Sequence, residues 1–210
     1  MNHVFSSLFS QYLGYETIDI VLEIVAVLFG LISVWCSKKN NLWVFPTGMA
    51  STLIFVYLLL KWALLGDMMI NAYYFIMSIY GWYIWTRKSN GNVVSPISEM
   101  TKKEKIIAIV IFMATLLFVY VVYVTFDKWT SWTAYVDTFT TAIFFVGMWL
   151  MAKRKIENWL FWIVGDIISV PLYFYKGFTF TSFQYLIFTV IAVYGYLEWK
   201  KNLSKPQLIA

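Results

Sequence analysis

Trp159, Trp162, Asp166 and Tyr173 stand three, four and seven positions apart. In a helix that spacing places all four on one face. Two indoles, a carboxylate and a phenol suit a flat ligand, polar or cationic, because rings stack on it and a cation over an indole gains about 0.5–2 kcal/mol. The surrounding residues are apolar. A carboxylate at membrane depth costs about 2.5–3.5 kcal/mol on insertion scales, so it faces a protein interior or a cavity. Asp166 therefore either fastens helices together or meets a ligand, and Trp159 and Trp162 either anchor in an interface belt or line a site.

Other polar groups sit inside apolar stretches. Asn71, Tyr74 and Ser78 repeat the three-then-four spacing, with Tyr80 beyond them, and a later stretch carries Thr181, Gln184, Tyr185 and Tyr194. Amides donate and accept at once, so Asn71 and Gln184 can read a carboxamide or sugar hydroxyls. Contacts between helices, worth about 0.6 kcal/mol on average in one membrane protein, would use the same groups. Asp19, Glu23 and Asp137 lie near segment ends, where they snorkel or pair with Lys128.

The composition says what must position these residues. Of 210 residues, 61% are hydrophobic and only 13% charged, which describes an integral membrane protein rather than a soluble globule. Cys36 is the sole cysteine and His3 the sole histidine. Disulfides within the chain, cysteine-held clusters and histidine-rich metal sites are thereby excluded. No Ser/His/Asp or Cys/His set, glycine-rich phosphate cradle or HExxH is present. We expect no enzyme, no cofactor and no resident metal. The net charge of +5 lies in short loops, which reads as topology rather than a nucleic-acid surface.

Seven segments reach the roughly 17–25 apolar residues a spanning helix needs: 18–36, 43–61, 68–86, 106–126, 133–151, 159–176 and 179–198. Loops after the first, third, fifth and seventh hold 13 of the 16 basic residues, leaving Lys61, Lys128 and Lys176 for the other side. The positive-inside rule then puts the N-terminus outside and the C-terminus in the cytoplasm. No cleavable signal peptide is expected at the start. Gly30 and Gly147, Lys38 and Lys155, Asn41 and Asn158, and Gly48 and Gly165 are 117 positions apart, while Tyr80-Gly81 and Tyr194-Gly195, and Trp85 and Trp199, are 114 apart.

This pattern predicts an all-α membrane fold with two parallel three-helix repeats, 18–86 and 133–199, around a loop and linker helix at 87–132. Flanking them are an outer tail at 1–17 and a cytoplasmic tail at 200–210. Carriers with parallel repeats place substrate near the bilayer midplane between the halves. Pro46 and Pro171 interrupt the second and sixth segments and permit kinks.

The run Lys155-Ile156-Glu157-Asn158-Trp159-x-x-Trp162-x-x-x-Asp166, then Leu172-Tyr173-x-x-Lys176-Gly177-x-x-x-Thr181 and Gly195-Tyr196-x-x-Trp199, closely resembles the C-terminal signature of the PnuC family of bacterial nicotinamide riboside transporters. Asn41-x-Trp43-x-x-Pro46-x-Gly48, Gly66-Asp67 and Tyr80-Gly81-Trp82 look like its first half. The family often shows Leu-Gln after that Gly-Asp, where this chain has Ile70-Asn71. The resemblance implies a 3+1+3 body related to the SWEET sugar transporters, a homotrimer in the bacterial inner membrane, and facilitated diffusion with a cytoplasmic riboside kinase trapping the product. Substrate would meet Trp159, Trp162, Asp166, Tyr173, Gln184, Asn71, Tyr74, Tyr80, Asn41 and Thr181. Thiamine or another cationic aromatic vitamin is the alternative cargo, and riboflavin carriers belong to the same superfamily. A non-transporting membrane subunit is the alternative of another class.

Overall fold

A computed structural model describes residues 16–62, 65–89, 92–93, 95–127, 129–176 and 179–203. The expectations for the tail before residue 16, for His3, Lys128, Gly177 and Lys205 lie outside the described residues. Among the described residues seven helices follow one another: α1 Thr17–Lys38, α2 Val44–Lys61, α3 Leu65–Thr86, α4 Lys102–Thr125, α5 Trp132–Ala152, α6 Asn158–Tyr175 and α7 Thr179–Asn202. Each observed end falls within four residues of the expected one. A two-stranded hairpin, β1 Lys88–Ser89 against β2 Asn92–Val93, interrupts the loop before α4.

By length and apolarity α1, α2, α4 and α5 can each cross a membrane. The others carry the polar residues on which the site depends, and these lower their apolarity. Helix α1 packs on α2, α2 on α3, α5 on α6 and α6 on α7; α4 lies on α5, while α1 meets α7 and α3 meets α5.

Local chemistry sets the boundaries. Beyond α1, Asn40 takes a left-handed φ of 53°, and the Asn40 and Asn41 amides return to Ser37 O and Cys36 O. Beyond α5, Arg154 takes φ 54°, and the Arg154 and Lys155 amides return to Met151 O and Leu150 O. Both are helix stops of the Schellman kind. They lie 114 positions apart, as do the starts of α2 and α6, the ends of α2 and α6, and the starts of α3 and α7. Gly30 thus stands in register with Phe144 rather than Gly147, and Gly48 with Trp162 rather than Gly165.

The prolines also differ from expectation. Pro46 sits in the first turn of α2, where its missing N–H breaks no helical bond, whereas Pro171 is inside α6. Ser182 of α7 donates to Val170 O beside it at 2.8 Å.

Buried aromatics close the end that carries the basic loops. Phe45 meets Trp85 edge-on at 4.9 Å, Trp159 meets Trp199 edge-on at 5.5 Å, and Trp85 and Trp199 are 5.9 Å apart. Their indoles reach across: Trp85 Nε1 donates to Ala152 O at 3.2 Å and Trp199 Nε1 to Ser37 O at 3.0 Å. Above Trp85 the Arg154 guanidinium lies 4.0 Å from the ring and donates to Ser95 O at 3.0 Å. Burial lowers its pKa to about 10, which leaves it charged at neutral pH. Backbone bonds between Ser98 and both Arg154 and Ile156 hold residues 95–101 against this end.

The opposite end carries ion pairs within each group of helices. Lys61 of α2 bonds Asp19 of α1 at 2.8 Å and Glu16 at 2.9 Å, and Lys176 after α6 bonds Asp137 of α5 at 2.7 Å. Asp19 and Asp137 thus have lysine partners other than Lys128.

Candidate substrate cavity

Between α1–α3 and α5–α7 lies a cavity of about 250 Å³. Its aromatic wall comes from α5, α6 and α7. Phe144 stacks against Trp162 with centroids 5.4 Å apart and against Tyr185 at 6.0 Å, and Tyr74 approaches Trp162 from α3 at 6.4 Å. Tyr73, beside Tyr74, stacks on Phe145 at 3.9 Å and donates to its carbonyl oxygen at 2.9 Å, a direct bond from α3 to α5.

Asp166 lines this cavity while being only 2% exposed, and among the described residues its carboxylate has no hydrogen-bond partner. Trp159 also lines it, and the buried Nε1 of that indole is without a bond. A buried polar group left without a partner costs about 1–3 kcal/mol, so an arriving ligand that supplies one is favoured. Asn71 and Gln184 add two amides to the lining; Asn71 Nδ2 donates to Asp67 O at 2.9 Å.

Six of the expected residues therefore converge on one space: Trp159, Trp162, Asp166, Gln184, Asn71 and Tyr74. Four do not. Tyr173 stands behind the wall, its ring 5.1 Å from that of Tyr185. Tyr80 is 37% exposed and Thr181 lies near the start of α7, both outside the lining. Asn41 is in the α1–α2 loop, where its Oδ1 accepts the Trp43 amide at 2.9 Å and so organises the entry into α2. Sequence reasoning missed Phe144, Phe188 and Thr52. An apolar ring in an apolar helix carries no mark to separate a cavity from lipid, and Thr52 has no spacing partner of a chemical type.

Apolar helices enclosing a small cavity lined by aromatic rings and a buried carboxylate define a membrane transporter of small molecules. The sequence model of the family described as nicotinamide mononucleotide transporter matches residues 20–201, and the chain belongs to that family. It is 26% identical over 194 residues to the riboflavin/roseoflavin transporter RibM of Streptomyces davaonensis, covering 89% of each chain. It is 22% identical over 201 residues to the nicotinamide riboside transporter PnuC of Escherichia coli, covering 85% of this chain and 84% of that one. The crystal structure of the vitamin B3 transporter PnuC superposes with a TM-score of 0.67 over 91% of this chain and 85% of that one, at 21% identity.

Proposed function

We propose that the protein takes up nicotinamide riboside by facilitated diffusion with alternating access. One observation carries this reading: a buried carboxyl, Asp166, which among the described residues has no hydrogen bond, lines with the indole of Trp162 a cavity between two groups of helices. A pyridinium ring stacked on Trp162 and Phe144 supplies the cation that Asp166 lacks. The amides of Asn71 and Gln184 suit a carboxamide, which donates and accepts as they do. Relatives that carry nicotinamide riboside support the same cargo.

The two groups, α1–α3 and α5–α7, act in this reading as repeats that rock about the cavity, with α4 as linker. The shared offset of 114 in their helix ends supports it. In this reading the basic end faces the cytoplasm, which the positive-inside rule applied to the lysines after α1, α5 and α7 supports. Phosphorylation by a cytoplasmic riboside kinase keeps free riboside low inside, and the chains assemble as homotrimers in the inner membrane. Riboflavin is the second reading, supported by the match to a riboflavin carrier.

The test is uptake of labelled nicotinamide riboside into proteoliposomes, with riboflavin and thiamine as competitors. We expect saturable equilibration that an imposed pH gradient leaves unchanged. No uptake above empty vesicles would sink the reading, and riboflavin uptake in its place would transfer it to the second cargo.

A further inference from the structure

The α1–α3 side of the cavity carries three aliphatic hydroxyls from α2 and α3. Ser51 and Thr52 of α2 and Ser78 of α3 all line it. Each has its single hydrogen committed inside the protein: Ser51 Oγ donates to Ala26 O at 2.8 Å, Thr52 Oγ1 to Gly48 O at 2.8 Å and Ser78 Oγ to Tyr74 O at 2.9 Å. A hydroxyl has one donor and two acceptor positions, so what remains for a ligand is acceptor capacity alone. Gly48 keeps this wall open. A methyl group there would press on Ser33 Oγ of α1 at 2.9 Å and touch Ser78 Oγ of α3 at 3.5 Å, filling the space that α2 leaves between them.

The register of the two helix groups makes the contrast sharp. The residues 114 positions after Gly48, Thr52 and Ser78 are Trp162, Asp166 and Ala192, and all six line the cavity. At equivalent heights one wall offers a ring and a carboxylate, and the other a gap and two hydroxyl acceptors. A ligand with a flat ring at one end and hydroxyl donors at the other fits this pair of walls in one orientation.

We propose that Thr52 and Ser78 are specificity-determining residues that accept hydrogen bonds from the polyol arm of the substrate, ribosyl or ribityl, while its ring lies on Trp162 and Phe144. The assignment rests on the vitamin-transport reading and adds to it the residues that read the sugar. Ligands lacking the polyol lose nothing when these hydroxyls are removed.

Binding to the purified full-length protein, followed by tryptophan fluorescence, tests this with nicotinamide riboside and with nicotinamide, which has the ring and carboxamide but no sugar. In Thr52→Val and Ser78→Ala the riboside affinity is expected to fall roughly 3- to 10-fold, the loss of one neutral hydrogen bond, with nicotinamide unchanged. Thr52→Ser, which keeps the hydroxyl, restores riboside affinity. Equal losses for both ligands, or riboside binding untouched by either variant, would overturn the assignment. If the wild type binds riboflavin and not the riboside, the riboside reading fails and the wall is tested with riboflavin against lumichrome, the same ring without its ribityl arm. Binding of none of the four overturns both.

Discussion

The aromatic plug at the basic end and the cavity beside it share one register and differ in how they use it. In the plug, positions 114 apart hold like residues: Phe45 and Trp159, Gly81 and Gly195, Trp85 and Trp199. In the cavity three pairs are unlike, Gly30 and Phe144, Gly48 and Trp162, and Thr52 and Asp166, while Tyr74 and Phe188 are both aromatic. A plug has only to meet its own counterpart, and matched rings from the two sides pack against each other. For the proposed cargo, with a ring at one end and a polyol at the other, a cavity gains nothing from matched walls. Divergence at these three pairs fits reading, and retention in the plug fits closing.

The reading side breaks most readily at Trp162. Replacing a buried aromatic anchor by alanine costs about 2 kcal/mol or more at a binding hot spot, so Trp162→Ala is expected to weaken nicotinamide riboside by about 30-fold or more. Fluorescence or calorimetric titration measures this, with the melting temperature in detergent as the control for folding. Full affinity in that variant would remove the aromatic wall from the site.

The closing side breaks at its glycines. A Cβ on Gly195 would lie 2.6 Å from the Trp159 ring, and one on Gly81 would overlap the ring of Phe45. Overpacking of this kind costs about 1–3 kcal/mol. Gly195→Ala and Gly81→Ala should lower thermal stability by similar amounts, because each faces the same geometry. A large loss in one and none in the other would show that only one side of the plug bears on stability.

A smaller effect separates closing from folding. Trp199→Phe keeps an aromatic ring, though one smaller than the indole, and removes the Nε1 bond to Ser37 O, which by itself is a loss of about 1 kcal/mol, or roughly fivefold in an equilibrium. Cys36 packs against the plug, so its maleimide labelling rate reports opening at this end. We expect a rise of about fivefold in Trp199→Phe, and a similar one in Trp85→Phe, which removes the bond to Ala152 O. An unchanged rate in both variants would mean that these bonds do not hold the end closed.

How far the sequence reached follows the same division. Helix existence was legible because a spanning helix must be long and apolar whatever it packs against. Asp166, Asn71, Gln184 and the paired tryptophans were legible because polar groups in apolar runs are expensive and need partners. Phe144 and Phe188 were not, since α5 and α7 place such rings toward lipid, core and cavity alike. The register was read at 117 for the glycines because identical residues attract alignment, but helix ends and plug residues place it at 114. Gly48 and Gly165 match by identity while occupying different levels. Tyr173 shares the expected helical face with Trp162, yet α7 inserts Tyr185 in front of it, and that packing between helices leaves no trace in local spacing.

The smallest expected effect is at the acidic end. Lys61 bonds both Glu16 and Asp19, whose side chains are 71% and 3% exposed. An ion pair with an exposed carboxylate is screened by water and worth little, and Lys61 keeps Asp19 when Glu16 is neutralised. Glu16→Gln is therefore expected to leave the melting temperature nearly unchanged, with riboside affinity unaltered. Set beside Gly195→Ala, this variant locates what holds the protein together. A loss at Glu16 as large as that at the plug glycine would place the fastening at the acidic ion pairs, and the retained residues of the plug would then need a reason other than closure.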